Sequence, residues 1–131
     1  MKIRGYNVVD ETPTDRVPSW LAKMSTERLR QFLPAYVKTM ITRYPEISEW
    51  AIVLEPLWSD GKGWAGFASN SFWYSRLGKD YFKIAFKAAK EANLKIEAML
   101  VENLSYGNHT NIVLNEEFYA LYNLVDRKSV V

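Results

Sequence analysis

Cysteine is absent from this chain of 131 residues, which removes disulfides, thiolate nucleophiles and thiolate metal ligands together. Histidine is almost absent. His109 stands alone in the polar stretch Tyr106-Gly107-Asn108-His109-Thr110, with no second histidine or acid at ligand spacing, and reads as a loop residue. No charge of one sign gathers: 17 basic and 15 acidic residues leave a net charge of +2, spread along the chain. A nucleic-acid footprint and a polybasic membrane patch are therefore not expected. No run reaches the roughly eighteen apolar residues of a membrane span. The amino terminus has no apolar signal segment and reads directly as a strand, which fits a cytoplasmic protein or one whose true beginning is missing. Internal repeats and low-complexity tracts are lacking too. Asn103-Leu104-Ser105 and Asn108-His109-Thr110 are sequons, relevant only on a eukaryotic secretory route. What remains is a chain of one domain's size, residues 1–131, with 48% hydrophobic content for a core and an aromatic share of 15%.

The aromatics are concentrated after one acid. Trp50-Ala51-Ile52-Val53-Leu54 is apolar without alternation, the habit of a strand covered on both faces in a parallel sheet, and Glu55 closes it. Parallel βα architectures place reactive groups at the carboxyl ends of their strands. Trp58, Trp64, Phe67, Phe72, Trp73 and Tyr74 follow within about twenty residues. An acid at the mouth of a sheet, faced by stacking surfaces, is the make-up of a sugar-cleaving site. A loop cap or salt bridge is the structural alternative for Glu55. Trp58 and Trp64, in a loop with glycine and serine, are candidate sugar platforms. Trp50 and Trp73 read as core, and Phe32, Tyr36, Tyr44, Phe118 and Tyr122 as packing on helix faces.

Residues 2–9 read as a first strand, and Asp10-Glu11-Thr12-Pro13-Thr14-Asp15 as a polar loop. After the Pro18-Ser19-Trp20 turn, Ser25 is placed to cap a helix with Glu27 in its first turn. Leu29, Phe32, Leu33, Tyr36, Val37, Met40, Ile41 and Tyr44 recur at helical spacing up to Pro45. Pro34 inside that pattern predicts a kink or a split into two pieces. A strand over 49–55, the aromatic loop to Leu77-Gly78, a helix over about 79–92 and a strand from Leu94 to Val101, ending at Glu102, come next. A loop from Asn103 to Asn111 and a last helix over roughly 114–126 complete the order β-α-β-α-β-α. The expected class is α/β with parallel strands: about three βα units, or part of a (β/α)8 barrel, since a full barrel needs about 250 residues.

Three segments resemble glycoside hydrolase family 10, the endo-β-1,4-xylanases. Ile3-Arg4-Gly5-Tyr6-Asn7-Val8-Val9 with Pro18-Ser19-Trp20 is similar to the family's R-G-H-T-L-V-W-H-x-Q-x-P-x-W. Trp50-Ala51-Ile52-Val53-Leu54-Glu55 is similar to W-D-V-V-N-E, which ends in the acid/base glutamate. Asn70-Ser71-Phe72-Trp73-Tyr74-Ser75-Arg76-Leu77-Gly78-Lys79-Asp80-Tyr81, continuing to Ala89, resembles N-S-x-W-x-x-x-L-G-x-D-Y-I-x-x-A-F-x-x-A-R and is the most specific of the three. The likeness spans nearly the whole chain but only the middle of the family's barrel, about strands three to five.

The resemblance implies a partial (β/α)8 barrel, a xylan-like polysaccharide substrate, no cofactor or metal, an extracellular setting, and Glu55 as general acid/base. Asp10, Glu11 and Glu102 are candidates for polar sugar contacts, and Glu102 also for a second carboxylate at the same mouth. The chain departs from the motifs at several positions. Leu54 stands where the family has the asparagine that holds the sugar's 2-hydroxyl, and it can neither donate nor accept that bond. Ala51 replaces an aspartate, Tyr6 a histidine and Asp10-Glu11 a Trp-His pair. The N-D-Y-N of strand five has no counterpart in Leu100-Val101-Glu102-Asn103. The family's nucleophile falls beyond Val131, so a divergent, incomplete member that is inactive alone is expected, with self-association through exposed sheet edges. A non-catalytic carbohydrate-binding or structural remnant of the same fold is the alternative.

Overall fold

A computed structural model of the chain describes residues 3–10, 16–54 and 69–101. The expected last helix, His109, both sequons, Phe118 and Tyr122 lie outside the described residues. The described elements run β1 (Arg4–Gly5), β2 (Val9–Asp10), α1 (Ser19–Ala22), α2 (Thr26–Arg43), β3 (Glu49–Leu54), α3 (Phe72–Leu77), α4 (Asp80–Ala92) and β4 (Glu97–Val101).

Every strand pairing is parallel. β4 follows one edge of β3 from Glu49↔Glu97 to Leu54↔Val101, so β1 and β2 both occupy the other edge. They are two ends of one strand. Gly5 is level with Trp50 and Val9 with Val53, so the first strand spends four residue steps where β3 spends three. The extra residue is taken up around Asn7, whose φ of 22° lies in the region asparagine tolerates best among residues with a side chain. Val8 N–H rejoins the ladder at the Ala51 carbonyl, 3.1 Å away. β3 carries its own irregularity against β4, between Ala51 and Val53. This arrangement is the α/β class with parallel strands expected from the sequence.

β3 is sealed from water: Trp50 is 3% exposed, and Ala51, Ile52 and Val53 are fully buried. That cover explains an apolar run without alternation. The Trp50 indole N–H donates to the Ile47 carbonyl at 3.2 Å. Gly5 lies against this ring so closely that a Cβ there would meet it at 2.2 Å.

α2 begins as its sequence dictates, with the Ser25 hydroxyl accepting from Arg28 N–H at 3.1 Å and Glu27 in the first turn. Leu29, Leu33, Val37 and Ile41 form its buried face. The helix is continuous through Pro34, so the expected split does not occur. An interior proline costs about 3 kcal/mol, whereas each buried aliphatic side chain is worth about 1.5–3 kcal/mol. Two such side chains lie on each side of Pro34, and both pairs enter one core. α4 packs beside α2 and also against β3, burying Tyr81, Phe82, Ala85, Phe86, Ala88 and Ala89, with the Phe82 and Phe86 rings 4.6 Å apart. Lys38–Glu91 (2.7 Å) and Arg30–Asp80 (3.6 Å) join the two helices at the surface.

Several expectations are corrected. The stretch before Gly78, read as loop, holds helix α3, started by the nearly buried Ser71, whose hydroxyl accepts from Tyr74 N–H at 3.2 Å. The Pro18-Ser19-Trp20 turn is the start of the short helix α1. Arg76 of α3 donates to the carbonyls of Ala22 and Met24, capping the end of α1, and lies over the Phe72 ring. The third strand begins at Glu97, not Leu94, because Asn93 to Ile96 form a turn in which Lys95 N–H donates to the Asn93 side chain. Leu94 is 83% exposed there. Tyr36 and Tyr44, read as packing, do lie against the Phe32 and Trp50 rings, though each keeps more than a third of its surface exposed; Trp50 and Trp73 are core, as expected.

Candidate active site

The three parallel segments end level. Asp10 pairs with Leu54, and Leu54 with Val101. Neighbouring strands lie about 4.8 Å apart, so these carboxyl ends form one short row with β3 at its centre. The next residue in the sequence after each is a glutamate: Glu11, Glu55 and Glu102. These three acids, with Trp58 and Trp64, lie outside the described residues.

Asp10 is described. Its carboxylate is exposed and accepts from the Asn7 side-chain amide at 3.3 Å, so the residue that takes up the extra step in the first strand also steadies the acid at its end. Asp10 lies on the wall of a cavity of about 270 Å³ formed between β2, α1, α2 and α3. Val8, Leu21, Phe32 and Trp73 supply apolar wall, and Arg16, Trp20 and Tyr36 also line it. Trp20 (56% exposed) meets Phe32 edge-on at 5.8 Å, and Phe32 stacks on Tyr36 at 5.7 Å. Sequence reasoning passed over this group, because Phe32 and Tyr36 recur at helical spacing and read as packing. The signal available was Trp20, a large aromatic in the Pro18-Ser19 turn and outside the helical spacing that marks the core.

The profile of glycosyl hydrolase family 10 matches residues 1–129. The chain belongs to this family. Among curated relatives, endo-1,4-beta-xylanase C of Paenibacillus barcinonensis is 32% identical over 124 residues, which cover 82% of this chain and 11% of that protein. Endo-1,4-beta-xylanase A of Halalkalibacterium halodurans is 31% identical over 122 residues, covering 92% of this chain and 27% of that protein. The chain thus spans about a quarter or less of these two relatives. Among solved structures, xylanase 10B from Thermotoga petrophila in complex with xylobiose superposes with a TM-score of 0.78 at 21% identity. The match takes in 99% of this chain and 39% of that one, and at this identity it speaks for the fold alone. Native xylanase 10B from Thermotoga maritima gives a TM-score of 0.74 at 22% identity, over 95% of this chain and 37% of that one. The described strands and helices are accordingly part of a family 10 (β/α)8 barrel.

Within the family frame, two departures have a structural setting. Ala51, at the motif's aspartate, is fully buried in β3, where a carboxylate would be costly to desolvate. Tyr6, at the motif's histidine, is 62% exposed in the break between β1 and β2.

Proposed function

We propose that residues 1–131 form a single partial barrel domain contributing the proton-donating half of a β-1,4-glycosidase site, with xylan-like polysaccharide as substrate and Glu55 as general acid/base. The observation that carries this reading is the level row of strand ends, with Glu55 next in sequence after its central member, in a chain matched to the family over 1–129.

In a retaining mechanism two carboxyl groups about 5–5.5 Å apart share the work. Glu55 gives its proton to the glycosidic oxygen as the second carboxylate attacks the anomeric carbon, then takes a proton from the water that releases the sugar. The apolar strand before Glu55 and the aromatic residues after it favour a neutral acid, which suits a donor. Trp58 and Trp64 would stack on sugar rings, and Asp10, Glu11 and Glu102 would take hydroxyl contacts. The family's nucleophile belongs to a later strand than those matched here, so turnover is taken to need sequence beyond these 131 residues.

Leu54 supports a second reading, a carbohydrate-binding remnant without turnover, because the 2-hydroxyl contact of the family is lost there. Carboxyl NMR of the 131-residue chain tests the donor role: Glu55 is expected to titrate above the ordinary glutamate value of about 4.3. A value at or below it refutes the donor role. The same polypeptide is expected to release no reducing sugar from xylan, and hydrolysis abolished by Glu55→Gln would show that both carboxylates are within it.

A further inference from the structure

We infer that the cavity beside Asp10 is a saccharide subsite outside the barrel mouth, taking one or two rings of a neutral β-1,4-linked oligosaccharide. This inference borrows its ligand class from the proposed function and goes beyond it in place and residues.

α2 presents three faces. Leu29, Leu33, Val37 and Ile41 are buried. Arg30 and Lys38, one position on, reach α4 through their ion pairs. Phe32 and Tyr36, one position back, fall on the flank turned away from α4, where Trp20 of α1 meets Phe32 and Phe32 stacks on Tyr36. That aromatic flank is the rim of the cavity.

Its chemistry fits a sugar better than a charged ligand. Trp20 and Tyr36 are both exposed and offer aromatic surface to the C–H side of a pyranose, and both carry a polar tip for hydroxyls. Asp10 accepts hydrogen bonds and Arg16 donates them, so a ligand whose hydroxyls do both is served while the opposite charges offset each other. At about 270 Å³ the cavity lies at the small end of ligand sites, suited to one or two rings and not to a long chain. Asp10, the last residue of β2, lines it and pairs with Leu54, the last residue of β3, so a polysaccharide lying across the mouth is close to it. Such a subsite would hold substrate without touching the bond that breaks.

The test is an isotope-labelled 131-residue chain observed at its five tryptophan indole N–H resonances, with Trp20 assigned by Trp20→Phe, and xylohexaose added. The Trp20 resonance is expected to shift saturably. Tyr36→Ala should weaken that binding about tenfold, equivalent to about 1.4 kcal/mol, and Arg16→Gln should weaken it several-fold. Tyr36 is exposed, so its variant should keep the parent circular dichroism. A Trp20 resonance unmoved by xylohexaose overturns the inference, as does binding indifferent to both substitutions. Movement that follows protein concentration without sugar also overturns it, and makes the flank a contact between copies. The Glu55 titration reads the catalytic proposal and the Trp20 shift reads this one, so the two fail separately.

Discussion

Replacing Gly5 by alanine sets two physical effects of opposite sign against each other. By restricting the unfolded chain, glycine to alanine ordinarily stabilises a compatible site by about 0.4–1 kcal/mol. At Gly5 the new methyl would lie 2.2, 2.4 and 2.6 Å from three carbons of the Trp50 ring, far inside contact distance. The ring cannot simply swing away, since Trp50 is 3% exposed and its indole N–H is held by the Ile47 carbonyl. Either β1 parts from β3 or the ring leaves its place. Overpacking of this kind costs about 1–3 kcal/mol, and losing the indole bond adds about 1 kcal/mol. After the entropic gain, Gly5→Ala should destabilise by about 2–3 kcal/mol. At roughly 4 °C per kcal/mol for a domain of this size, the melting temperature falls by about 10 °C. Urea unfolding followed by tryptophan fluorescence measures it. The control is the same change in a Trp50→Leu background, where the obstacle is gone and the cost should drop below about 0.5 kcal/mol. Equal costs in the two backgrounds, or stabilisation in the parent, would refute the close approach of Gly5 to Trp50.

Three further outcomes are expected. Gly78 closes α3 at φ 66°, ψ −160°, a region essentially reserved for glycine, with open space around the missing Cβ. Gly78→Ala should therefore cost about 2 kcal/mol through backbone strain alone, and Gly78→Asn should not rescue it, both read by thermal unfolding. Arg76→Lys replaces the two guanidinium nitrogens that separately reach the Ala22 and Met24 carbonyls with a single nitrogen on a shorter side chain, so about 1–2 kcal/mol should be lost, with the amides around Ala22 exchanging faster. Glu91 has its carboxyl held below the ordinary glutamate value, chiefly by the hydrogen bond and charge of Lys38. A depressed folded pKa gives stability that is present above the ordinary value and lost as pH falls through the lower one. Carboxyl NMR should show Glu91 returning toward the ordinary value in Lys38→Met and at high salt; a titration unchanged in both would refute the pairing.

How much was legible follows from which forces act locally. The buried face of α2 is written in the four-residue spacing of Leu29, Leu33, Val37 and Ile41, and β3 in an unbroken apolar run, because both report burial directly. At Pro34 the split does not occur because the core takes up side chains on both sides of it, which a local penalty does not register. α3 was hidden: Phe72, Trp73 and Leu77 are so apolar, and the preceding residues so aromatic, that helix and loop share one composition. The break at Asn7 leaves no trace in hydrophobic alternation, because it is set by pairing with residues more than forty positions away. At the site, strand order and the position before Glu55 were readable from the apolar pattern and motif likeness. The flank of Trp20, Phe32 and Tyr36 was not, because helical spacing alone does not say which side of a helix lacks a neighbour.

The extra residue at Asn7 acts as a phase setter. Side chains on a strand alternate between faces, so one added step exchanges the two sides for everything that follows. Upstream of it, Gly5 is matched to the Trp50 ring; downstream, Val9 is buried while Asp10 emerges into solvent. The exchange is confined to the count along the chain: Val9 stays level with Val53 and Asp10 with Leu54, so the strand end keeps its pairing with β3. What the extra residue adds is a place for Asn7 outside regular alternation, from which its side-chain amide reaches the Asp10 carboxylate.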